Sequence, residues 1–514
     1  MPIKFKKIRV RIAPSPTGPL HIGTARTALF NYLFAKKHKG SFILRIEDTD
    51  LERSNPKYEK NIKDGLQWLG IQWDEFYKQS ERIDSYAKYL KKLLDSGQAF
   101  YCGHSKEELE KERKEKLKKK EPPIHICEHY NKKLKKGIIR FRPPKKKIVF
   151  NDLIRDRVEF NSELLGDISI AKNLKTPLYN FAVIIDDYEM KISHVIRGED
   201  HLSNTPKQIL IQEALNLPIP QYAHLPLILG PDKTKLSKRH GVVSVADYQK
   251  QGYLPKALIN FMALLGWSPQ DKISSQKSEN SHDEEMLSIK ELIKKFSLGK
   301  IQKGGAIFNV AKLDWFNGNY IRQKSLENLT LLCLPYLVER GLIEPIFINK
   351  QYPPAYGGYS LERKYIITKT KKEIPINKLK KIIGLEQKRM KKLSEVGELT
   401  EFFFKSPHYK SDMFKWPRTQ RARLKEKEKK EIINILNKLE QILSKIKEKD
   451  FTIEKLKTIL MLEAEKFNGD RGCLLWPLRV ALTGREKSPG PFEIAEILGK
   501  ERVLERIKEA KKTI

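Results

Sequence analysis

Two short segments carry the side chains best suited to phosphate chemistry. The first, PSPTGPLHIGT (14–24), places the imidazole of His21 where a helix is predicted to begin, followed by Gly23, which lets a ligand approach the backbone. The free N–H groups and the positive dipole end of a helix N-terminus favour a phosphate. The second, KLSKR (235–239), offers flexible lysines that can stabilise charge developing on phosphates in a transition state. Together they predict a nucleotide site that works by positioning and electrostatics.

A β–α–β unit must position the first segment. The apolar run 8–12 predicts a buried strand, the Pro- and Gly-rich turn leads to a helix from His21, and 41–46 predicts a second strand that ends on acidic residues. The segment has neither a Walker lysine nor a G-x-G-x-x-G pattern, which disfavours P-loop and dinucleotide-binding folds.

A parallel sheet is predicted to resume after an insertion. Charged helical and short alternating segments up to residue 170 indicate a small α+β insertion. The continuous apolar run Phe181–Ile185 then predicts a parallel strand covered on both faces. A helix is predicted at Thr205–Ala214 and a strand at Tyr222–Leu229, directly before the lysine-rich loop. From about residue 325 the apolar period is almost entirely helical.

Composition narrows the class of protein. A chain of 514 residues should hold several domains. The net charge of +36 predicts a polyanionic partner such as nucleic acid or an anionic membrane surface, although lysine-rich runs also form ordinary solvated faces. No apolar run approaches the roughly 20 residues of a membrane span. The first residues lack the pattern of a signal peptide, and four cysteines make no disulfide framework, so a cytoplasmic protein is expected.

The segments PSPTGPLHIGT, RIEDTD (45–50) and KLSKR resemble the signatures of class I aminoacyl-tRNA synthetases, and within that class the bacterial type of glutamyl-tRNA synthetase. The resemblance extends over nearly the whole chain and is weakest at 268–285 and 340–375. It implies ATP-dependent activation of L-glutamate, with Mg²⁺ on the phosphates, and transfer of the glutamyl group to tRNA-Glu. A monomer without a membrane partner is expected.

The resemblance also implies a fold class: an α/β Rossmann-like catalytic domain split by an α+β insertion, followed by an all-α C-terminal anticodon-binding region. Its expected parts are the first catalytic half (1–83), an acceptor-binding insertion (84–180), the second catalytic half (181–239), a stem-contact domain (240–325) and the helical anticodon-binding region (326–514). The polar stretch 268–285 is expected to be an exposed or disordered loop.

The resemblance assigns three catalytic residues, His21, Lys235 and Lys238, which would stabilise the ATP phosphates. Thr24 stands where many class I enzymes carry a second histidine, a difference common in the glutamyl branch. The implied ATP-binding residues are Pro14, Ser15, Gly18, His21, Gly23, Thr24, Asp200, Leu236 and Lys238.

Substrate choice is assigned in the same way. An arginine fork suits a carboxylate, and an acid partners an amine. Arg11 and Arg197 would take the carboxylates of glutamate and Glu47 its amino group, with Ser15 and Tyr179 lining the pocket. Arg389 resembles the position from which the family reads the last anticodon base.

Two pairs, Cys102-x-His104 and Cys127-x-His129, separated by 22 residues, form a candidate structural zinc site. The one-residue spacing is atypical of zinc fingers. It resembles the zinc site of some glutamyl-tRNA synthetases, in which a cysteine is commoner at the place of His104.

Several alternatives remain open at this stage. The chain could also charge tRNA-Gln, or be a catalytically inactive tRNA-binding or scaffold paralogue. A truncated paralogue that modifies a tRNA base would lack the helical region beyond 325. A nucleotidyltransferase acting on a small metabolite would not need so large a basic C-terminal part.

Overall fold

The computed structural model describes residues 7–50, 52–132, 134–269, 285–346, 359–416, 426–467 and 470–514, without the side chain of Lys238. By internal contacts the chain divides into two compact units, Met1–Phe316 and Asn317–Ile514. The loop predicted at 268–285 falls almost wholly outside the described residues. The division into two units does not test the bounds of the five parts predicted from the sequence, which stay predictions.

The N-terminal unit opens with the expected β–α–β unit, followed by a further strand and helix. Its elements are β1 (Arg9–Ile12), α1 (Ile22–Lys37), β2 (Ser41–Ile46), α2 (Pro56–Trp68), β3 (Glu75–Lys78) and α3 (Ile83–Asp95). The three strands form a parallel sheet in the order β1-β2-β3, with Arg9 opposite Ser41 and Ile43 opposite Glu75. All six residues of β2 are buried, as expected for a strand covered on both faces.

The insertion contains sheet and one charged helix, as predicted. Its elements are β4 (Ala99–Cys102), α4 (Lys106–Lys118), β5 (Ile138–Phe141), β6 (Lys147–Asp152), β7 (Asp156–Asn161), β8 (Ile168–Asn173) and β9 (Thr176–Pro177). Strands β4, β5, β8 and β9 form an antiparallel sheet. Helix α4 begins with a capping box between Ser105 and Glu108, and none of its residues is buried.

The chain then returns to the parallel sheet. The elements are α5 (Tyr179–Glu189), β10 (His194–Gly198), α6 (Thr205–Ala214), β11 (Gln221–Leu225), β12 (Ile228–Leu229), α7 (Val245–Lys250), α8 (Pro255–Ala263), α9 (Ile289–Lys295), β13 (Ala306–Ile307) and α10 (Val310–Arg322). Helix α6 has the predicted bounds.

The strand predicted at Phe181–Ile185 is wrong, because these residues lie in helix α5. All five are buried, and a short continuous apolar run does not distinguish a buried strand from a helix covered on most sides. The parallel strand that resumes the sheet is β10, whose residues pair with β11 from His194–Gln221 to Gly198–Leu225.

The insertion also contributes strands to the sheet of β10 and β11. Strand β6 joins β11 in parallel, with Asp152 opposite Tyr222, so the sheet order is β10-β11-β6-β7. Strand β1 lies beside β10, where the Ser193 N–H donates to the Arg9 carbonyl at 2.9 Å. The carboxyl ends of β1, β2, β10 and β11 therefore lie near one another, which is where α/β sheets bind ligands.

The described residues of the C-terminal unit are largely helical, and a small antiparallel sheet lies within the region that was predicted to be all-α. Its elements are α11 (Leu326–Glu339), β14 (Ile343–Pro345), β15 (Tyr365–Ile367), β16 (Glu373–Ile374), α12 (Ile376–Glu386), α13 (Glu395–Thr400), α14 (Glu426–Ser444), α15 (Ile453–Ala464), α16 (Gly472–Thr483), α17 (Pro491–Leu498) and α18 (Lys500–Thr513). The sheet order is β14-β15-β16. Among the described residues, no helix of either unit combines the length and apolarity that a bilayer crossing requires.

Candidate functional site

A cavity of about 670 Å³ opens at the carboxyl ends of strands β1, β2, β10 and β11. Most of the predicted site residues line it: Arg11, Pro14, Ser15, His21, Gly23, Thr24, Glu47, Tyr179, Arg197, Asp200, Lys235 and Leu236. Gly18 is in the same turn but does not line the cavity. Lys238 begins a short 3₁₀ turn, Lys238–His240, and its side chain lies outside the described part. The tertiary structure thus brings together residues from both predicted signatures.

His21 caps the helix that points at this cavity. Its Nδ1 accepts the backbone N–H of Gly23 at 3.0 Å. Burial, together with the charge of Lys235, lowers the pKa of His21. The ring is therefore neutral at pH 7, and because Nδ1 accepts, the proton is on Nε2. His21 can thus donate one hydrogen bond to a phosphate oxygen without carrying a charge.

Gly23 fits closely against that imidazole. A Cβ atom at this position would lie 3.3 Å from His21 Nδ1, which is closer than most Cβ contacts in proteins. A side chain here would require the ring to shift by a few tenths of an ångström.

The lysine-rich loop is fastened to the sheet at its start. Lys235 pairs with Leu229, and the buried Leu236 donates its backbone N–H to Ile228 at 2.9 Å. The Lys235 ammonium is exposed and lies 3.0 Å from Asp200 Oδ2. Although burial acts against it, the hydrogen bond from Lys235 lowers the pKa of Asp200. Since exposed ion pairs are weak, this ammonium is free to move to a stronger anion in the cavity.

Arg11 and Glu47 belong to a buried ion-pair network. Arg11 donates to both oxygens of Asp187, at 3.0 and 3.2 Å. The fully buried Arg45 joins Asp187 at 2.7 Å and Glu47 at 3.1 Å. Burial raises the pKa of Glu47 despite Arg45. Two of the N–H groups of Arg11 are therefore already engaged by a carboxylate of the protein.

Arg197 differs from Arg11 in its partners. Its Nε donates to His224 Nε2 at 3.2 Å and its Nη2 to the Thr205 hydroxyl at 2.8 Å. Nη1 is buried without a hydrogen-bond partner, and no carboxylate among the described residues forms an ion pair with this guanidinium. A buried cation of this kind is well suited to bind an anionic substrate group.

The sequence did not single out three residues of the site, of which His201 and Arg26 line the cavity and Asp187 binds a lining residue. His201 follows the IRGED segment and lies 3.0 Å from the Tyr179 hydroxyl, and burial lowers its pKa to about 4. Arg26 donates to the Pro226 carbonyl, and burial lowers its pKa to about 10. Asp187, the partner of Arg11, could have been noticed as half of an acidic pair in an otherwise apolar run.

Comparison with known proteins agrees with this geometry. The family model for the catalytic domain of class I tRNA synthetases (E and Q) matches residues 7–315, and an anticodon-binding domain model matches 359–511. The chain belongs to the class I tRNA synthetases of the E and Q type. This confirms both the resemblance and the fold class expected from it.

The relatives are similar along their whole length. The "Glutamate--tRNA ligase 1" of Caldanaerobacter subterraneus subsp. tengcongensis is 41% identical over 99% of this chain and 98% of its own. The Aquifex aeolicus "Glutamate--tRNA ligase" is 41% identical over 98% of each. A crystal structure of a glutamate tRNA ligase from Elizabethkingia meningosepticum in complex with its amino acid covers 99% of this chain and all of that one, with a TM-score of 0.79 at 34% identity.

The insertion of this synthetase holds a cluster of four possible metal ligands: Cys102, His104, His125 and Cys127. Cys102 Sγ lies 3.4 Å from His104 Nδ1 and 3.9 Å from His125 Nε2, and Cys127 Sγ lies 3.6 Å from His104 Nδ1. Zinc bond lengths in a tetrahedral site give a sulfur–nitrogen edge of about 3.5 Å. The four donors therefore fit one zinc ion.

His129 was predicted as the fourth ligand, and the structure replaces it in this cluster with His125. His129 lies in the 3₁₀ turn Glu128–Asn131, and its Nδ1 accepts the Gly103 N–H at 3.0 Å. It groups with Glu128 and His104 instead. His125 also bonds Glu112 through Nδ1 at 2.5 Å, the arrangement that commonly orients a metal-bound histidine.

Arg389 lies in the C-terminal unit of the synthetase, just beyond α12. Its Nη1 donates to both carboxylate oxygens of Glu386, at 2.7 and 3.0 Å, and its Nη2 donates to the Lys487 carbonyl. Glu386 is fully buried, which raises its pKa to about 7 despite this partner. Arg389 is thus held in place by its partners, while 32% of its side chain stays exposed to solvent.

Proposed function

We propose that this chain is a glutamate–tRNA ligase that activates L-glutamate with ATP and transfers it to the 3′ end of tRNA-Glu. The observation that carries the proposal is a single cavity that holds His21, the Lys235 loop and the unpaired cation of Arg197. Full-length similarity to enzymes named glutamate–tRNA ligase supports the same activity.

Activation joins a carboxylate oxygen of glutamate to the α-phosphorus of ATP. The bond between the α-phosphorus and the oxygen that bridges to the β-phosphorus breaks, and pyrophosphate leaves. Negative charge grows on the phosphates in this step, so groups that are already in place and donate to them lower the barrier. The neutral Nε2–H of His21 would donate a hydrogen bond near the α-phosphate. Lys235 and Lys238 would stabilise the negative charge on the pyrophosphate as it leaves. The turn residues Pro14, Ser15, Gly18, Gly23 and Thr24, with Asp200 and Leu236, would hold the nucleotide. Mg²⁺ would be bound to the phosphates of ATP.

The amino acid would be oriented by charge. Arg197 would take one carboxylate of glutamate, and Arg11 the other through the N–H groups that Asp187 leaves free. Glu47 would accept from the ammonium group, with Ser15 and Tyr179 beside it. The adenylate then passes its acyl group to a ribose hydroxyl of the tRNA, and AMP leaves.

The remaining parts would bind the tRNA, whose phosphates suit the net charge of +36. In this proposal the insertion at 84–180 holds the acceptor end, 240–325 contacts the stem, and 326–514 reads the anticodon. The zinc ion would be structural, because four protein ligands leave no open position. A cytoplasmic location and a monomeric state remain predictions.

Glutamate-dependent exchange of pyrophosphate into ATP, measured with and without tRNA-Glu, tests the proposal. We expect exchange that depends on glutamate, and charging of tRNA-Glu. A protein that binds tRNA but supports no exchange under either condition would be an inactive paralogue. Equal charging of tRNA-Gln would show a non-discriminating enzyme.

A further inference from the structure

A fully buried pair of side chains contacts Arg197 through His224, and neither member of the pair lines the cavity. The Asp152 and His224 side chains are both inaccessible to solvent, and Asp152 Oδ2 lies 2.6 Å from His224 Nδ1. The other oxygen, Oδ1, accepts the backbone N–H groups of Ile154, Arg155 and His224, at 2.9, 2.8 and 3.2 Å. Asp152 is therefore saturated by donors and fixed in one orientation.

These contacts decide which nitrogen of His224 carries the proton. Burial lowers the pKa of His224, so the ring is neutral. Although burial acts against it, the hydrogen bond from the His224 Nδ1–H lowers the pKa of Asp152. Nε2 is then a lone-pair acceptor. It accepts from Arg197 Nε at 3.2 Å and lies 3.1 Å from the Thr205 hydroxyl.

Thr205 completes the arrangement. Its hydroxyl accepts Arg197 Nη2 at 2.8 Å. Two of the three guanidinium nitrogens of Arg197 thus have hydrogen-bond partners in the protein. The third, Nη1, is buried without a partner, and Arg197 lines the cavity.

We propose that Asp152 and His224 are positioning residues for the amino-acid substrate: they fix the histidine tautomer that holds Arg197, so that Nη1 faces a carboxylate of glutamate. This inference rests on the proposed function. Because Asp152 ends β6, the insertion helps to build the amino-acid site as well as the proposed tRNA surface.

A second contact from the same turn supports this role. Arg155 forms an ion pair with Glu199, which accepts the Leu227 N–H at 2.8 Å. Leu227 lines the cavity, and Glu199 follows β10 directly after Arg197 and Gly198. The end of β6 and the turn after it therefore contact two parts of the cavity wall: Arg197, through Asp152 and His224, and Leu227, through Arg155 and Glu199.

Asp152→Asn tests the inference with almost no change in volume. The amide would present an N–H where Oδ2 accepted one, so His224 would have to accept at Nδ1 and carry its proton on Nε2. That N–H would face the N–H of Arg197. A buried donor left unpaired typically costs enough to change an equilibrium roughly 10- to 100-fold. We expect the KM for glutamate to rise by that factor, with the KM for ATP within twofold of wild type.

Asp156→Asn is the matched control. It makes the same change in the same turn, but the Asp156 carboxylate is exposed and pairs with Lys303. Asp156 has φ 62°, which asparagine tolerates well. We expect both KM values of this variant to equal those of wild type.

Thr205→Val is a second variant of nearly equal volume, and it removes the hydroxyl that links His224 and Arg197. It decides the matter if Asp152→Asn does not fold, because a selective rise in the KM for glutamate supports the inference and an unchanged KM overturns it. A folded Asp152→Asn with wild-type KM for glutamate, or with both KM values raised alike, also overturns it. Wild-type protein without glutamate-dependent exchange would refute the proposed function itself.

Discussion

The identity of the fourth zinc ligand can be tested directly, because two nearby histidines compete for that role. His125 Nε2 lies 3.9 Å from Cys102 Sγ, whereas His129 Nδ1 is already occupied by the Gly103 N–H. We therefore expect His125→Ala to weaken zinc binding strongly and His129→Ala to leave it nearly unchanged. Cys127→Ser should behave as His125→Ala does.

The size of the effect follows from the coordination. Structural zinc sites of four ligands bind with about 10–16 kcal/mol, so one ligand contributes about 3 kcal/mol, or roughly 10²-fold in affinity. Losing the Gly103 contact in His129→Ala removes one ordinary hydrogen bond, worth about 1 kcal/mol of stability and no metal bond. The two alanine variants should therefore differ about 10²-fold in zinc affinity.

Zinc content of each purified variant, followed by competition with a chelating dye, measures this difference. Hydrogen exchange over residues 103–126 gives a second measurement, since helix α4 buries no side chain of its own and contacts the cluster through Glu112, which bonds His125. Charging of tRNA should fall in His125→Ala more than pyrophosphate exchange does. Equal zinc affinity in the two variants would refute the ligand assignment, and wild-type protein fully active without zinc would refute the site.

Three further predictions concern other residues. His21→Asn keeps a side-chain oxygen for the helix cap but removes the imidazole, so pyrophosphate exchange should fall about 10²–10³-fold with little change in Tm. Lys238→Ala should reduce the exchange rate by the same factor. Near wild-type rates in either variant would contradict the assignment of these residues. Arg389→Gln should reduce the preference for tRNA-Glu over tRNA-Gln transcripts, and a wild-type enzyme that charges both equally would show that Arg389 does not discriminate. The pKa of Glu386 is about 7 in the folded state, against an ordinary value of 4.5. Between these two pH values the folded state binds more protons than the unfolded state. The free energy of unfolding therefore falls as the pH rises from 4.5 to 7, by at most about 3 kcal/mol. Glu386→Gln should remove this fall in urea unfolding at pH 5 and pH 8, and an unchanged pH dependence would contradict it.

The sequence by itself determined the local framework of the site. Strand β2 and helix α6 have the predicted bounds, and helix α1 begins at the residue after His21. These features depend on near neighbours: the apolar period, the cap and the Pro- and Gly-rich turn. The two signature segments could be recognised for the same reason, since each acts through residues adjacent in the chain.

Where the sequence misled, the local pattern was ambiguous or the choice lay between close neighbours. The run Phe181–Ile185 suits a buried strand as well as a buried helix, and only the packing of α5 decided between them. His125 and His129 flank Cys127 at two residues on either side, so spacing alone did not determine which one turns toward Cys102.

Only the tertiary structure decided which charged groups are free to act. Arg11 and Arg197 are equivalent in the sequence, as arginines at strand ends. Asp187, 176 residues away, engages two N–H groups of Arg11, while Asp152 and His224, 72 residues apart, hold Arg197 and leave Nη1 unpaired. Partners so distant in the chain meet only when the insertion and both halves of the sheet have packed. Electrostatic preorganisation is therefore a property of the folded protein, although each residue that provides it is present in the sequence.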